Sequence, residues 1–404
     1  MALMALPSCA ASAETADPGS GTQMFSLSGF GTLGVVHSSE DFADFTSSVF
    51  KPSGAGYGGS WSTVVDSLIG AQLTANITPK LSAVVQVIAE QNYDNTYTPH
   101  VEWANVKYLF TPDFSVRIGR IVLPTFFVSD SRDVGYSNPW VRPPPEVYQL
   151  LPISNSDGVD ISYRLHIGSL TDTLQGNYGQ NNAALPRGSA EGKHLWGFSN
   201  TAEYGPFTAH LAYQELHLTI ASFDPLFNAF RLFGPQGIAI ADEYDLDNKP
   251  LVTEALGASY DPGHYFVMGE WARANAHSIF AVGTAWYVSG GYRLGKFTPY
   301  LTYAEVKSNR NSDPGLTVAG LPPNLAGFAA GLNASLNAIL ETNPDQNTIS
   351  VGSRWDFMRN VDLKLQVDHS REGPGSSGEL TNLQPGFRPG GEDNLFTATL
   401  DFVF

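Results

Sequence analysis

The 404 residues carry 39 acidic against 22 basic side chains, a net charge of −17 with no basic stripe, which argues against nucleic acid as a partner. No window holds the roughly 18 apolar residues that a spanning helix needs, so a membrane location would require a closed barrel, the other architecture that satisfies every backbone group in lipid. The lone cysteine, Cys9, lies in the opening residues, which leaves the rest of the chain neither a disulfide frame nor a thiolate metal site.

The opening MALMALPSCAASA is apolar and closes on Ala11-Ser12-Ala13, the small-x-small pattern of an export cleavage site. Residues 1–13 therefore read as a truncated signal peptide without its usual basic start, and residues 14–404 as a single domain. From Phe25 the side chains alternate. Phe25, Leu27, Gly29, Gly31, Leu33 and Val35 share one face, and Ser26, Ser28 and Thr32 share the other. The same alternation recurs at 69–77, 81–90, 104–110, 159–166 and 361–368.

Short turn signals and long polar excursions take turns between these segments. Thr78-Pro79-Lys80, Thr111-Pro112-Asp113, Ile167-Gly168-Ser169, Gly205-Pro206, Asp261-Pro262-Gly263, Leu294-Gly295-Lys296 and Met358-Arg359-Asn360 are short; proline presets φ in some and glycine admits positive φ in others. The long excursions fall near 38–66, 92–100, 121–157, 180–193, 218–250, 274–282, 307–346 and 371–393. This asymmetry, with about 16 alternating segments, predicts an all-β fold: a transmembrane antiparallel β-barrel with short periplasmic turns and long outer loops. Aromatics beside the short turns predict a ring girdle at headgroup depth: Tyr108 with Phe110, Tyr204 with Phe207, Tyr260 with Tyr265, and Trp355 with Phe357.

The third excursion, 121–157, holds prolines that no central strand accepts, together with Asp130, Arg132, Asp133, Arg142 and Glu146 and several aromatics. So long a loop with so many fixed φ angles is expected to fold onto something, here into the mouth of the barrel, which it narrows. Two other outer loops predict helices. Asp224-Pro225 reads as an N-cap followed by proline, and beyond Pro322-Pro323 the residues Leu325, Phe328, Leu332, Ser335 and Ile339 approximate a helical stripe. The chain closes on Phe396, Ala398, Leu400, Phe402 and Phe404 along one face.

Strand number, loop asymmetry and this terminal aromatic pattern together resemble the Gram-negative trimeric porins over essentially the whole chain. The resemblance implies an outer-membrane location, a homotrimer, and a third outer loop that folds inward as the constriction. General porins often carry a short glycine- and acid-containing signature at the tip of that loop. This chain has GYSNPWVRPPPEVY there, which leaves room for a substrate-specific channel.

Within such a barrel the inward charges Lys107, Arg117, Arg164, Arg293, Arg354 and Lys364, with Glu90, Asp160, Glu270, Asp356, Asp362, Asp368 and Asp401, would line water as the pore wall. Asp130, Asp133 and Glu146 are expected to oppose Arg117 and Arg164 across the lumen. Acids of the outer loops (Glu40, Asp41, Asp44, Asp242, Glu243, Asp245, Asp247, Glu392 and Asp393) would surround the entrance and predict a weak cation preference. The function expected is passive diffusion of small hydrophilic solutes and ions, without cofactor or metal. The alternatives are a substrate- or anion-specific channel, or a barrel enzyme such as a lipase.

Three constellations compete with their ordinary explanations. Gly29-x-Gly31-x-x-Gly34 spells a dinucleotide motif but lacks the following helix, and small residues that let a neighbouring protomer approach explain it better. His37-Ser38-Ser39 could supply a serine nucleophile, against a surface histidine at a strand end. Asp242, Glu243, Asp245, Asp247 and Asn248 could hold calcium, against a solvated acidic loop.

Overall fold

The computed structural model describes residues 24–309 and 312–404. The signal-peptide reading of residues 1–13 lies outside the described residues. Among those described, sixteen strands form one closed antiparallel barrel. They are β1 (Phe25–Ser38), β2 (Leu68–Thr78), β3 (Leu81–Glu90), β4 (His100–Thr111), β5 (Phe114–Val122), β6 (Asn155–Ile167), β7 (Leu170–Ala184) and β8 (Ser189–Tyr204). The second half comprises β9 (Phe207–Thr219), β10 (Lys249–Tyr260), β11 (Tyr265–Asn275), β12 (Gly283–Tyr292), β13 (Phe297–Ser308), β14 (Gln346–Met358), β15 (Val361–Glu372) and β16 (Glu392–Val403). Consecutive strands pair, and β1 closes the ring by pairing with β2 along its lower half and with β16 from Phe30↔Val403 to Ser38↔Leu395.

The alternation is that of a membrane barrel, inside out relative to a soluble sandwich. On β1, Leu27 is 70% exposed while Thr32, on the other face, is 3% exposed. Ile69, Ile118, Leu256 and Val351 also stand outward, whereas Gln86, Asn105, Thr302 and Thr397 are buried within. The lower girdle forms as expected: Phe110 meets Tyr108 and Phe114 at 4.8 and 5.4 Å, Phe207 meets Tyr260 at 4.4 Å, and Phe297 stacks on Trp355 at 5.5 Å. The turns there are tight, with Gly205 at φ 56° and Asn360 at φ 61°.

The glycines of β1 have a different role from the one expected. A Cβ on Gly29 would lie 2.2 Å from the Phe404 ring, and one on Gly31 would lie 2.5 Å from the Phe402 ring. They receive the terminal rings of β16 and so seal the barrel within one chain. A close approach of a second protomer is not needed to explain them.

The fourth excursion is mostly strand. β7 and β8 run up to Ala184 and down from Ser189, so the polar stretch 180–193 shrinks to a connection of residues 185–188. Long strands whose tops stand above the hydrocarbon carry polar side chains on both faces, which removes the alternation that marks a strand. The fifth loop holds α2 (Asp224–Arg231) and α3 (Gly234–Tyr244), and the seventh holds α4 (Pro323–Leu340). Phe223 is the N-cap of α2; Asp224 is already in the first turn. Phe227, Phe230, Tyr244, Leu332 and Leu336 join these helices to one apolar cluster that continues down into the barrel.

Candidate pore constriction

The third outer loop, residues 123–154, leaves β5 where Leu123 N–H donates to Ser154 O at 2.8 Å and then runs inside the barrel. Phe127 N–H donates to Glu270 Oε1 of β11 at 2.8 Å. Two 3₁₀ turns, Ser129–Ser131 and Gly135–Ser137, carry the chain on to β14–β16. There Gly135 O accepts a hydrogen bond from Lys364 Nζ at 2.6 Å, and Tyr136 O and Asn138 O accept from Arg354 Nη1 at 2.6 and 3.2 Å. A Cβ on Gly135 would lie 2.2 Å from Asp401 Oδ1, so only glycine lets the backbone pass this close to the wall.

The returning half is anchored more deeply. Trp140 Nε1 donates to Ser289 Oγ of β12 at 2.8 Å. Arg142 forks onto Asp66 at 2.8 and 2.6 Å, reaches Asp368 at 3.4 Å and donates to Thr397 at 2.9 Å. The short helix α1 (Pro145–Tyr148) then lies against the inner wall, with Glu146, Val147 and Tyr148 buried. The wall makes room for it. Ala212, Ala255, Ala272 and Ala285 face inward in direct cross-strand register on β9 to β12. These four small side chains and Ala304 of β13 leave the space that Trp140, Val147 and Tyr148 fill. Sequence reading passed over this row, although an alanine at an inward position on four successive strands is its visible signal.

The loop thus has a wall-side half, 138–148, and a water-side half, 127–137. Asp130 is exposed, within electrostatic reach of Arg117. Arg117 of β5 lies in register with Lys107 of β4 and with Asp160 of β6. Its guanidinium forks onto the Asp160 carboxylate, which is fully buried and also takes Gln175 Nε2 at 2.6 Å. Arg164 stands exposed further down β6, and neither it nor Lys107 makes an ion pair among the described residues. On the other side of the loop, Arg132 faces Asp133 at 4.0 Å and Lys51 bridges Glu90 at 2.9 Å. Enclosure between loop and wall, and then the neighbouring Glu102 carboxylate, push the Asp133 carboxyl up to about 7.

Several expected positions are corrected. Arg354 and Lys364, placed on the open pore wall by their strand parity, lie beneath the loop; Lys364 is fully buried against Asp401 at 3.1 Å, and Arg354 meets Asp362 at 3.0 Å. Parity gives the inward direction but not what covers the side chain. Arg142 and Glu146 are buried between loop and wall, so Glu146 does not oppose Arg117, while Asp130 does approach it. Arg293 belongs to a lower turn, where it pairs with Asp261 at 2.7 Å. Several acids of the vestibule are hydrogen-bonded or ion-paired within the loops rather than open to the entrance. Asp44 is buried under Gly58 N–H and Asn382 Nδ2, both at 2.7 Å, and Asp393 takes the hydroxyls of Ser38 and Ser39. Glu392 pairs with Arg371 at 2.9 Å, and Asp242 and Asp245 pair with Arg231 at 3.3 and 2.5 Å. Glu40, Asp41 and Asp247 make no ion pair among the described residues.

The competing constellations take ordinary forms. The His37 ring stacks on Trp61 at 4.6 Å while the Ser38 hydroxyl turns to Asp393, so the two do not form a nucleophile and base. No group of three metal-ligating side chains occurs among the described residues.

A family profile described as Gram-negative porin matches residues 1–374. No curated relative matches the sequence. The fold is similar to the anion-selective porin from Comamonas acidovorans, with TM-score 0.54 and 12% identity, covering 94% of this chain and 99% of that one. It is likewise similar to Salmonella typhi OmpF in complex with daunomycin (TM-score 0.55, 14% identity, 94% of this chain and 97% of that chain). A third similar structure is the outer-membrane channel DcaP of Acinetobacter baumannii (TM-score 0.54, 12% identity, 94% of this chain and 97% of that chain).

Proposed function

The chain belongs to the Gram-negative porin family and is an outer-membrane channel, and from that premise we propose that it is a homotrimeric passive diffusion pore for small hydrophilic solutes, weakly cation-preferring and without chemistry of its own. The observation that carries the reading is the divided third loop. One half is fastened to the wall, and the other presents Asp130 to water opposite Arg117, with Lys107 and Arg164 beside that guanidinium, and Asp133 on the side of Glu90, Glu102 and Lys51. Opposed charges across a narrow lumen orient dipolar solutes. The cation preference rests on Asp130, Asp133 and the remaining mouth acids Glu40, Asp41 and Asp247. An anion-preferring channel is the second reading, favoured by Lys107 and Arg164, neither of which makes an ion pair among the described residues. Purified protein in planar bilayers should give stepwise conductance, with a zero-current potential of cation sign in a potassium chloride gradient. Anion sign at low salt would transfer the proposal to the second reading, and a silent bilayer from folded protein would remove both.

The homotrimer draws support from the outer surface. Arg120 and Asp157 pair at 2.7 Å on the outward face of β5 and β6, with side chains 36% and 48% exposed. They stand six residues above the Phe114–Tyr163 ring pair, or about 15 Å up a tilted strand, within a hydrocarbon band of about 25 Å. A charged side chain facing lipid at such depth costs about 2–4 kcal/mol, so a protein surface is the better cover. Unheated gel migration and native mass should give a trimer that Arg120→Leu weakens; a monomer in mild detergent would end this part of the proposal.

A further inference from the structure

The third and eighth outer loops meet at the Gln346 side chain, which brings two carboxyl groups within electrostatic reach of each other. Glu146 in α1 is 2% exposed, and its Oε1 accepts from Gln346 Nε2 at 3.1 Å. Glu379 in the eighth loop (373–391) is 8% exposed, and its backbone N–H donates to Gln346 Oε1 at 3.0 Å. One glutamine side chain therefore ties both residues together. Both carboxyl oxygens of Glu379 are buried without a hydrogen-bond partner among the described residues, and the charged group acting on them is Glu146. Among the described residues no cation pairs with either carboxyl. The guanidinium of Arg142, in the same loop as Glu146, is engaged by Asp66 and by Asp368, which also acts on Glu146 from β15. The other titratable neighbour is acidic as well: Glu372 ends β15 beside Gly378, with Glu40, Glu392 and Asp393 near it.

Two buried carboxylates without a counter-ion cannot both stay ionised, and an orphaned pair of oxygens needs a donor. We propose that Glu146 and Glu379 form a proton-held latch between the third and eighth loops. A proton on the pair leaves at most one of the two carboxyls charged and so holds α1 in its seat. When the last shared proton leaves to solvent, two like charges face each other in a dry site and the wall-side half of the constriction loop is released. Burial, and then the Glu146 carboxylate, hold Glu379 well above the ordinary glutamate value. Burial also raises Glu146, against the pull of the Thr348 and Gln346 hydrogen bonds. Folded values above the free ones mean that the stabilisation is complete below the ordinary carboxyl range and is lost as pH rises through the raised values.

The latch rests on the channel reading only for its effect on conductance, so the test reads structure first. Hydrogen–deuterium exchange of the full-length protein in detergent, from about pH 5 to about pH 9, would follow the amides of residues 146–150 against strand amides of the same molecule. Above the raised ionisation, protection of this segment should fall about tenfold per pH unit beyond the general base-catalysed rise. Glu379→Gln, a neutral isostere whose amide donates at every pH, should keep the segment protected while preserving heat-modifiable gel mobility. An equal fall in Glu379→Gln, or no fall in the parent protein, overturns the latch. Restoration of protection by calcium at alkaline pH would also overturn it, by assigning the carboxyls to a cation. Pairing exchange with bilayer recordings separates the two claims, since loss of protection without any conductance leaves the latch standing and removes the channel.

Discussion

The anchor at Arg142 gives the sharpest energetic prediction. Its guanidinium holds two buried carboxylates, Asp66 and Asp368, and lies 4.9 Å from the Phe45 ring. Methionine in its place keeps most of the packing but leaves two acids without their cation. Breaking a buried ion pair from one side costs about 3–5 kcal/mol, because the surviving charge stays desolvated. Asp368 keeps a hydrogen bond from Gln366 at 2.6 Å, so Asp66 carries most of that penalty. Arg142→Met should therefore lower unfolding stability by about 3–5 kcal/mol, and Arg142→Met with Asp66→Leu should recover most of the loss. Urea unfolding of the folded protein in detergent measures both. The channel should also become noisier in the single variant, since the returning half of the loop loses its ionic anchor and keeps only neutral hydrogen bonds such as Trp140 to Ser289. A loss below about 1 kcal/mol, the worth of a solvated surface pair, would mean that the loop is not seated on the wall.

Two other outcomes follow from the same geometry. An acid raised to about 7 is neutral below that pH and charged above it, so cation preference should grow as pH rises through about 7, and Asp133→Asn should flatten the profile of zero-current potential. Gly31→Val would drive a side chain into the Phe402 ring, 2.5 Å from the new Cβ, and into Leu68 O at 3.2 Å, opening the β1–β16 seam; a heat-modifiable band at lower temperature than the parent's, or none at all, is the expected gel result.

The barrel was legible because its rules are local. Alternation placed Leu27 outward and Thr32 inward, and the proline and glycine turns separated short connections from long ones. Residues 180–193 misled because strands above the membrane need no apolar face. The constriction was legible as a segment, since its prolines bar it from the sheet. Its two sides were not. Whether Asp130 or Glu146 meets water depends on the alanine row of β9–β12, and those contacts are remote in sequence. The same distance hid the burial of Arg354 and Lys364, whose cover comes from Gly135 and Tyr136 more than 200 residues away.

The division of the third loop into a water side and a wall side is tested most directly by single cysteines read in a bilayer. Asp130→Cys and Glu146→Cys would each be exposed to a bulky, charged thiol reagent during recording, with the parent protein as control for Cys9. Modification of Asp130→Cys should cut the conductance of open channels promptly, while Glu146→Cys should stay unmodified as long as the loop is seated. Prompt block through Glu146→Cys, with Asp130→Cys silent, would contradict the account by placing the other half of the loop in the pore.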